Sequence, residues 1–153
     1  MTGYYTNKDA DEWYENIKGN FENFPIYFVY DGKEYNGFKK EYFLCVDKKR
    51  RNIDDKEILE VIFEFLDGIY ITIILTHYFS HGVTEWTLWF ENLSNKNSGV
   101  FQNIRTVLKF NGKNPVLKGI YGDHVNQYSP YSIDLMNNIV TFSSDSGRAT
   151  HIN

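Results

Sequence analysis

The chain is dominated by runs in which apolar and polar residues alternate. The clearest opens the stretch Val83–Ile104, reading VTEWTLWFENLSNKNSGVFQNI, where Trp86, Leu88 and Phe90 fall on one side and Glu85, Thr87, Trp89 and Glu91 on the other. Period two places successive side chains on opposite faces of a strand, so this run predicts a half-buried strand. An Asn- and Ser-rich loop follows, and Val100 to Phe110 continues as a strand that Asn111-Gly112 turns. Trp89 is a large aromatic on the otherwise charged side, and what that side meets becomes the functional question.

Other runs behave alike. Phe24, Ile26, Phe28 and Tyr30 alternate with Pro25, Tyr27 and Val29, and Asp31-Gly32 then predicts a hairpin returning through Lys33 to Phe38. Tyr42 to Val46 is a further short strand. Residues 1–20 fit either an edge strand or a short helix ending at Gly19. Glu57 to Leu66 admits two periods. A helix would align Ile58, Leu59, Ile62, Phe63 and Leu66; a strand would align Leu59, Val61, Phe63 and Phe65. The strand is preferred because it also makes Asp67-Gly68 a hairpin turn into Ile69–Phe79. There Ile69, Ile71, Ile73 and Leu75 form a core row opposite Tyr70, Thr72, Thr76 and Tyr78. Short strands are expected at Pro115–Tyr121, Ser132–Leu135 and Ile139–Phe142, with a loop-like tail from Ser143 that no element closes. Turn signals at this spacing predict an all-β, antiparallel β-sandwich with room for one short helix.

Composition agrees: 18% of the 153 residues are aromatic, which favours strands and suffices for a single domain with a real core. The net charge of -4 gives no general attraction to nucleic acid or anionic membranes. The basic run Lys48-Lys49-Arg50-Arg51, answered by Asp54, Asp55 and Glu57, is expected to be a solvated loop. The single cysteine, Cys45, excludes an internal disulfide and sits in an apolar run as an expected core residue. The longest apolar stretch, Ile69–Leu75, is far short of the ~20 residues a spanning helix needs, and no apolar signal segment opens the chain. A soluble, cytoplasmic protein is expected.

Chemistry is sparse. Glu85 and Glu91 share a face, but six residues of strand separate them by about 20 Å, too far for a glycosidase pair. Asp123 beside His124 and Asp145 near Arg148 read as loop residues. His77 and His81 are spaced for a metal only on a helix, and they span a strand end and a turn. No nucleophile elbow or phosphate loop is present, so no catalytic residue, metal ligand or cofactor is expected. Trp89, Tyr70 and Tyr78 could stack on sugar rings; packing against another layer is the simpler reading.

Two segments carry a resemblance. FPIYFVYDGKEYNGF (Phe24–Phe38) and LDGIYITIILTHYFSHGVTEWTLWFENLS (Leu66–Ser94) are similar to the N-terminal domain of bacterial α-galactosidases of the family-36 glycoside hydrolase type. Shared features are a proline-led aromatic strand with a Tyr-x-Gly-Lys turn, here Pro25 to Lys33, a turn at Asp67-Gly68, and the strand bearing Glu85, Trp86, Leu88, Phe90 and Asn92. The tail SSDSGRATHIN is similar to a Gly-Arg loop that leads toward the family's barrel. The likeness covers roughly residues 24 to 153 and is strongest at Thr84–Ser94. After the Gly-Lys turn the family commonly has Leu-Leu-x-x-Trp, where this chain has Phe38-Lys39-Lys40-Glu41-Tyr42-Phe43.

The resemblance implies a supersandwich that packs against a catalytic (β/α)₈ barrel holding the family's catalytic aspartates. Residues 1–153 are then one β-sandwich domain, the N-terminal fragment of a longer chain, with no catalytic residue to carry over. The expected partners are the barrel of the parent chain, a sister subunit in a homo-oligomer, or carbohydrate. The docking face is expected at Trp89, Glu85 and Glu91, with Arg148 as a further interface residue. The alternatives are a free-standing carbohydrate-binding module and a purely structural sandwich.

Overall fold

The computed structural model describes residues 6–108, 114–122, 128–137, 139–143 and 151–152. Thr6 caps the first element, accepting from the Asp9 N–H while Asp9 answers the Thr6 N–H, so that two orphan donors of the first turn are satisfied. The helix α1 (Asn7–Gly19) buries Ala10, Tyr14 and Ile17, which recur at helical spacing on one stripe. Helix, rather than edge strand, is the outcome of the open reading of residues 1–20.

Strands β1 (Ile26–Tyr30) and β2 (Lys33–Asn36) form the expected hairpin, with Asp31 and Gly32 at φ 46° and 78°. Gly37, at φ 67°, then lies so close to the chain that a Cβ would sit 2.0 Å from the Glu22 carbonyl oxygen, so only glycine fits. β1 also pairs with β7 (Phe101–Thr106), giving a three-stranded sheet of order β2-β1-β7. The second sheet has four antiparallel strands in the order β3-β4-β5-β6: β3 (Leu44–Ile53), β4 (Lys56–Glu64), β5 (Ile69–Tyr78) and β6 (Val83–Asn92). Residues 57–64 are therefore strand, and Asp67 and Gly68 (φ 60° and 74°) turn the chain as expected.

Inner rows Leu59-Val61-Phe63 and Ile69-Ile71-Ile73-Leu75 are buried, and they meet Phe24, Ile26, Phe28 and Tyr30 from the opposing sheet. Phe28 is the hub, with rings of Tyr35, Phe43, Phe65, Phe90 and Phe101 around it. The all-β, antiparallel sandwich with one helix is thus present.

Two expectations on β3 are corrected. Lys48 to Arg51 lie in a strand rather than a loop, because the run pairs residue for residue with β4. The long aliphatic stems let each cation reach solvent or a partner from either face. Cys45 is exposed rather than in the core. It belongs to the edge strand of its sheet, at a register shift between Cys45 and Asp47.

The chain divides into two compact units, residues 1–108 and 109–153. In the second, β8 (Val116–Ile120) and β9 (Pro130–Asp134) form a hairpin, and Tyr131 packs between Tyr121 and Phe142. The expected strand at Ile139–Phe142 is confined to β10 (Phe142–Ser143), which pairs with β11 (His151–Ile152), so the tail does return to a ladder. The Asn111-Gly112 turn, Asp123, His124, Asp145 and Arg148 lie outside the described residues. No helix among the described residues is long and apolar enough to cross a membrane.

Candidate functional site

Antiparallel register decides which side chains share the outer face of the four-stranded sheet. One row runs Asp47, Ile62, Thr72, Trp89 from β3 to β6, and the next runs Leu44, Glu64, Tyr70, Glu91. Trp89 is 58% exposed, while Trp86, Leu88 and Phe90 turn inward and are half-buried against the core. The alternation read in Glu85 to Glu91 thus maps onto the two faces of β6. Inward, Trp86 packs against Trp13 and Phe24, each with ring centroids 5.9 Å away.

Trp89 and Tyr70 are diagonal neighbours across β5 and β6, a relation that separates such residues by about 7 to 8 Å and lets their rings border one patch. Glu91 stands directly opposite Tyr70 and beside Trp89 on the same face. Tyr78 does not join them, being six residues along β5 from Thr72, the partner of Trp89, or about 20 Å away. Its hydroxyl donates to Glu85 at 3.0 Å, and that carboxylate, with the partial loss of solvent, raises the phenol's pKa. Glu85 and Glu91 remain well apart, as the spacing requires. Ile58, Ile62 and Ile74 occupy the middle of the same face, half-buried among Glu60, Glu64 and Lys56.

Sequence reasoning missed a second polar constellation on the inner face. The register row Asn52, Glu57, His77, Thr84 crosses all four strands where α1 lies over them. His77 is fully buried; its Nε2 is 2.8 Å from Asp11 Oδ1, its Nδ1 2.7 Å from Thr84 Oγ1, and its ring stacks on Tyr14 at 4.4 Å. Glu57 accepts from Tyr14 at 2.6 Å and from Lys18 at 3.1 Å, and its other oxygen meets Arg50 at 3.2 Å. Burial works to raise the Glu57 carboxyl, but these hydrogen bonds and the two cations outweigh it and hold the pKa below the ordinary value. Burial first, and then the Glu57 carboxylate, pushes the Tyr14 phenol well above its ordinary range.

Asp, His and Thr in line resemble a nucleophile relay in residue type only. With the imidazole at 0% exposure, neither substrate nor solvent reaches it in this arrangement. The row's work is to fasten α1 to the sheet with every buried side-chain polar atom among the described residues satisfied. The one available signal was an acidic residue opening the inner apolar row of β4, since Glu57 shares the parity of Leu59, Val61 and Phe63. His81 is separate, exposed on the β5–β6 turn beside Asp55, and no cluster among the described residues could hold a metal. No family model, curated protein or solved structure matches the chain.

Proposed function

We propose that the chain is the non-catalytic N-terminal domain of an α-galactosidase-like glycoside hydrolase, a scaffold that supports a catalytic (β/α)₈ barrel. The observation that carries this reading is the outer face of the four-stranded sheet. It combines exposed Trp89 with Tyr70, Ile58, Ile62 and Ile74, and in residues 6–108 no further layer covers it. A face of this composition is suited to docking against protein rather than to lying in water. The resembling segments add support, because each occupies a structurally demanding place. Tyr30-Asp31-Gly32-Lys33 forms the β1–β2 turn, Asp67-Gly68 the β4–β5 turn, and Trp86, Leu88 and Phe90 the inward row of β6.

In this role the domain works in the cytoplasm, contributes to oligomer formation or borders the substrate entrance, and has no hydrolytic groups of its own. The test is turnover of an aryl α-galactoside by the purified chain. No release of the aryl alcohol is expected; turnover abolished by replacing an aspartate such as Asp123 would overturn the reading. A carbohydrate-binding module is the second reading, favoured by one feature. Trp89 and Tyr70 border a patch beside the Glu91 carboxylate, the arrangement in which an aromatic platform and an acceptor meet one sugar ring.

A further inference from the structure

The outer face of the four-stranded sheet has an aromatic side chain near each end, and only one of the two ends carries its own cation. At one end Tyr78 of β5 stands directly opposite Lys56 of β4, whose Nζ lies 5.5 Å from the centre of the phenol ring. On its other side the Tyr78 hydroxyl donates to Glu85 of β6 at 3.0 Å. Ring, ammonium and carboxylate complete one another within the chain. Half-buried phenol rings elsewhere are served in the same way: Lys33 Nζ lies 4.0 Å from the Tyr42 ring centre, and the Arg105 guanidinium 4.2 Å from that of Tyr27.

At the other end Tyr70 stands on the same face of β5, eight residues before Tyr78. Its β4 partner is Glu64 where Tyr78 has a lysine, and its β6 partner is Glu91, so a carboxylate stands on each side of the ring. Adjacent strands are about 4.8 Å apart, which separates Glu64 from Glu91 by about 10 Å across Tyr70. Trp89 adjoins them on β6 and is 58% exposed. Among the described residues no lysine or arginine pairs with Glu64 or Glu91, and none lies over the Tyr70 or Trp89 ring. Lys49, opposite Glu60 and so about 13 Å along the sheet from Glu64, is already bound to Asp47 at 2.8 Å. The Tyr70 end thus repeats the aromatic and acidic parts of the Tyr78 end and lacks the cation.

We propose that Tyr70, Trp89, Glu64 and Glu91 together receive a cation from outside the chain, the arginine side chain of a protein docked on this face. A guanidinium is flat and weakly hydrated. It can stack on an indole or phenol face while its rim N–H groups donate to carboxylates on either side, which a compact, strongly hydrated ammonium does less well. Carboxylates on both flanks and electron-rich ring faces make the patch complementary to positive charge and unfavourable to an anion. The inference rests on the docking reading of this face and adds what the partner presents there. It holds whether or not that partner is a barrel.

The experiment is titration of the purified chain with N-acetyl-arginine amide, read by tryptophan fluorescence and amide NMR signals. N-acetyl-citrulline amide, of the same shape without the charge, is the control. The arginine compound should give saturable shifts centred on Tyr70, Trp89, Glu64 and Glu91 at millimolar concentration, weaker as salt is raised. The citrulline compound should bind several-fold less. Glu64→Gln combined with Glu91→Gln, and separately Trp89→Ala, should each weaken the arginine compound by about tenfold. All four side chains reach solvent, and unchanged signals at Tyr78 would verify that the variants keep the fold. Equal binding of the citrulline compound, shifts centred elsewhere, or indifference to both variants would overturn the proposal. A response to galactose-containing oligosaccharides in place of the arginine compound would overturn the docking reading with it. Silence towards both ligands would overturn the cation alone. Turnover of an aryl α-galactoside bears on the parent enzyme and leaves this patch untouched.

Discussion

The hydroxyl of Tyr14 donates to Oε1 of Glu57 at 2.6 Å, joining α1 to β4 where both side chains are buried. Glu57 stands at the end of an inner row that is otherwise apolar, so its charge is tolerable only because Tyr14, Lys18 and Arg50 converge on it. The helix and the carboxylate depend on each other. Without α1, Glu57 would keep only Arg50 and His77 only Thr84 as partners.

Tyr14→Phe keeps the ring stacked on His77 and removes only the donor. Glu57 retains its two cations, so the loss should be about 1 to 2 kcal/mol by urea unfolding at neutral pH. Tyr14→Ala also removes the packed ring and should cost about 3 to 5 kcal/mol. Equal losses for the two variants would show that the hydrogen bond rather than the ring carries the contact.

The same pair limits stability at both ends of the pH scale. The Glu57 carboxyl lies lower in the folded chain than its ordinary 4.5, so its contribution is present above that value and is lost as pH falls through the folded pKa. The Tyr14 phenol lies above its ordinary 10.0 when folded, so its contribution is complete below 10.0 and is lost as pH rises beyond it. Urea midpoints measured against pH should fall on both limbs, and Tyr14→Phe should flatten the alkaline one. An unchanged alkaline limb in that variant would remove Tyr14 from the account.

Burial ranks the aromatic core. Phe28 is wholly buried at the centre of the ring cluster, and Phe28→Ala should cost about 3 to 5 kcal/mol. Trp86 is only half-buried at the sheet edge, so Trp86→Ala in the monomer should cost less, about 2 to 3 kcal/mol. The reverse order in denaturant unfolding would mean that the edge of β6 is more enclosed than the structure has it.

Trp89 separates the docking and sugar-binding readings. With galactose-containing oligosaccharides at millimolar concentration, the docking reading expects unchanged tryptophan fluorescence and unchanged amide signals around Trp89 and Tyr70. A saturable shift that Trp89→Ala removes would favour the binding module.

Strand periodicity made most of the first unit legible. The alternation of Glu85 to Glu91, the row Ile69–Leu75 and the Asp-Gly turns could be read because period two and positive-φ turn residues are local properties. Helix α1 was ambiguous, since its short buried stripe of Ala10, Tyr14 and Ile17 sits among polar residues. The strand at Lys48–Arg51 was hidden because a charged run resembles a loop until its pairing with β4 is known. Cys45 looked like core for the opposite reason: its neighbours are apolar, but edge position is a property of the sheet. The polar row escaped notice because register brings Glu57, His77 and Thr84 together from three strands, and Asp11 joins from a helix. On the outer face, the alternation separated Trp89 from Trp86 correctly, but spacing alone did not show that Tyr70 neighbours Trp89 while Tyr78 does not.

The central claim, a scaffold domain of a larger hydrolase, is tested most directly by the nucleotide sequence that follows the codon for Asn153 in the gene. The account predicts a continuous frame encoding a (β/α)₈ pattern, with aspartates at the ends of barrel strands. A stop codon there, or a continuation without that pattern, would contradict it.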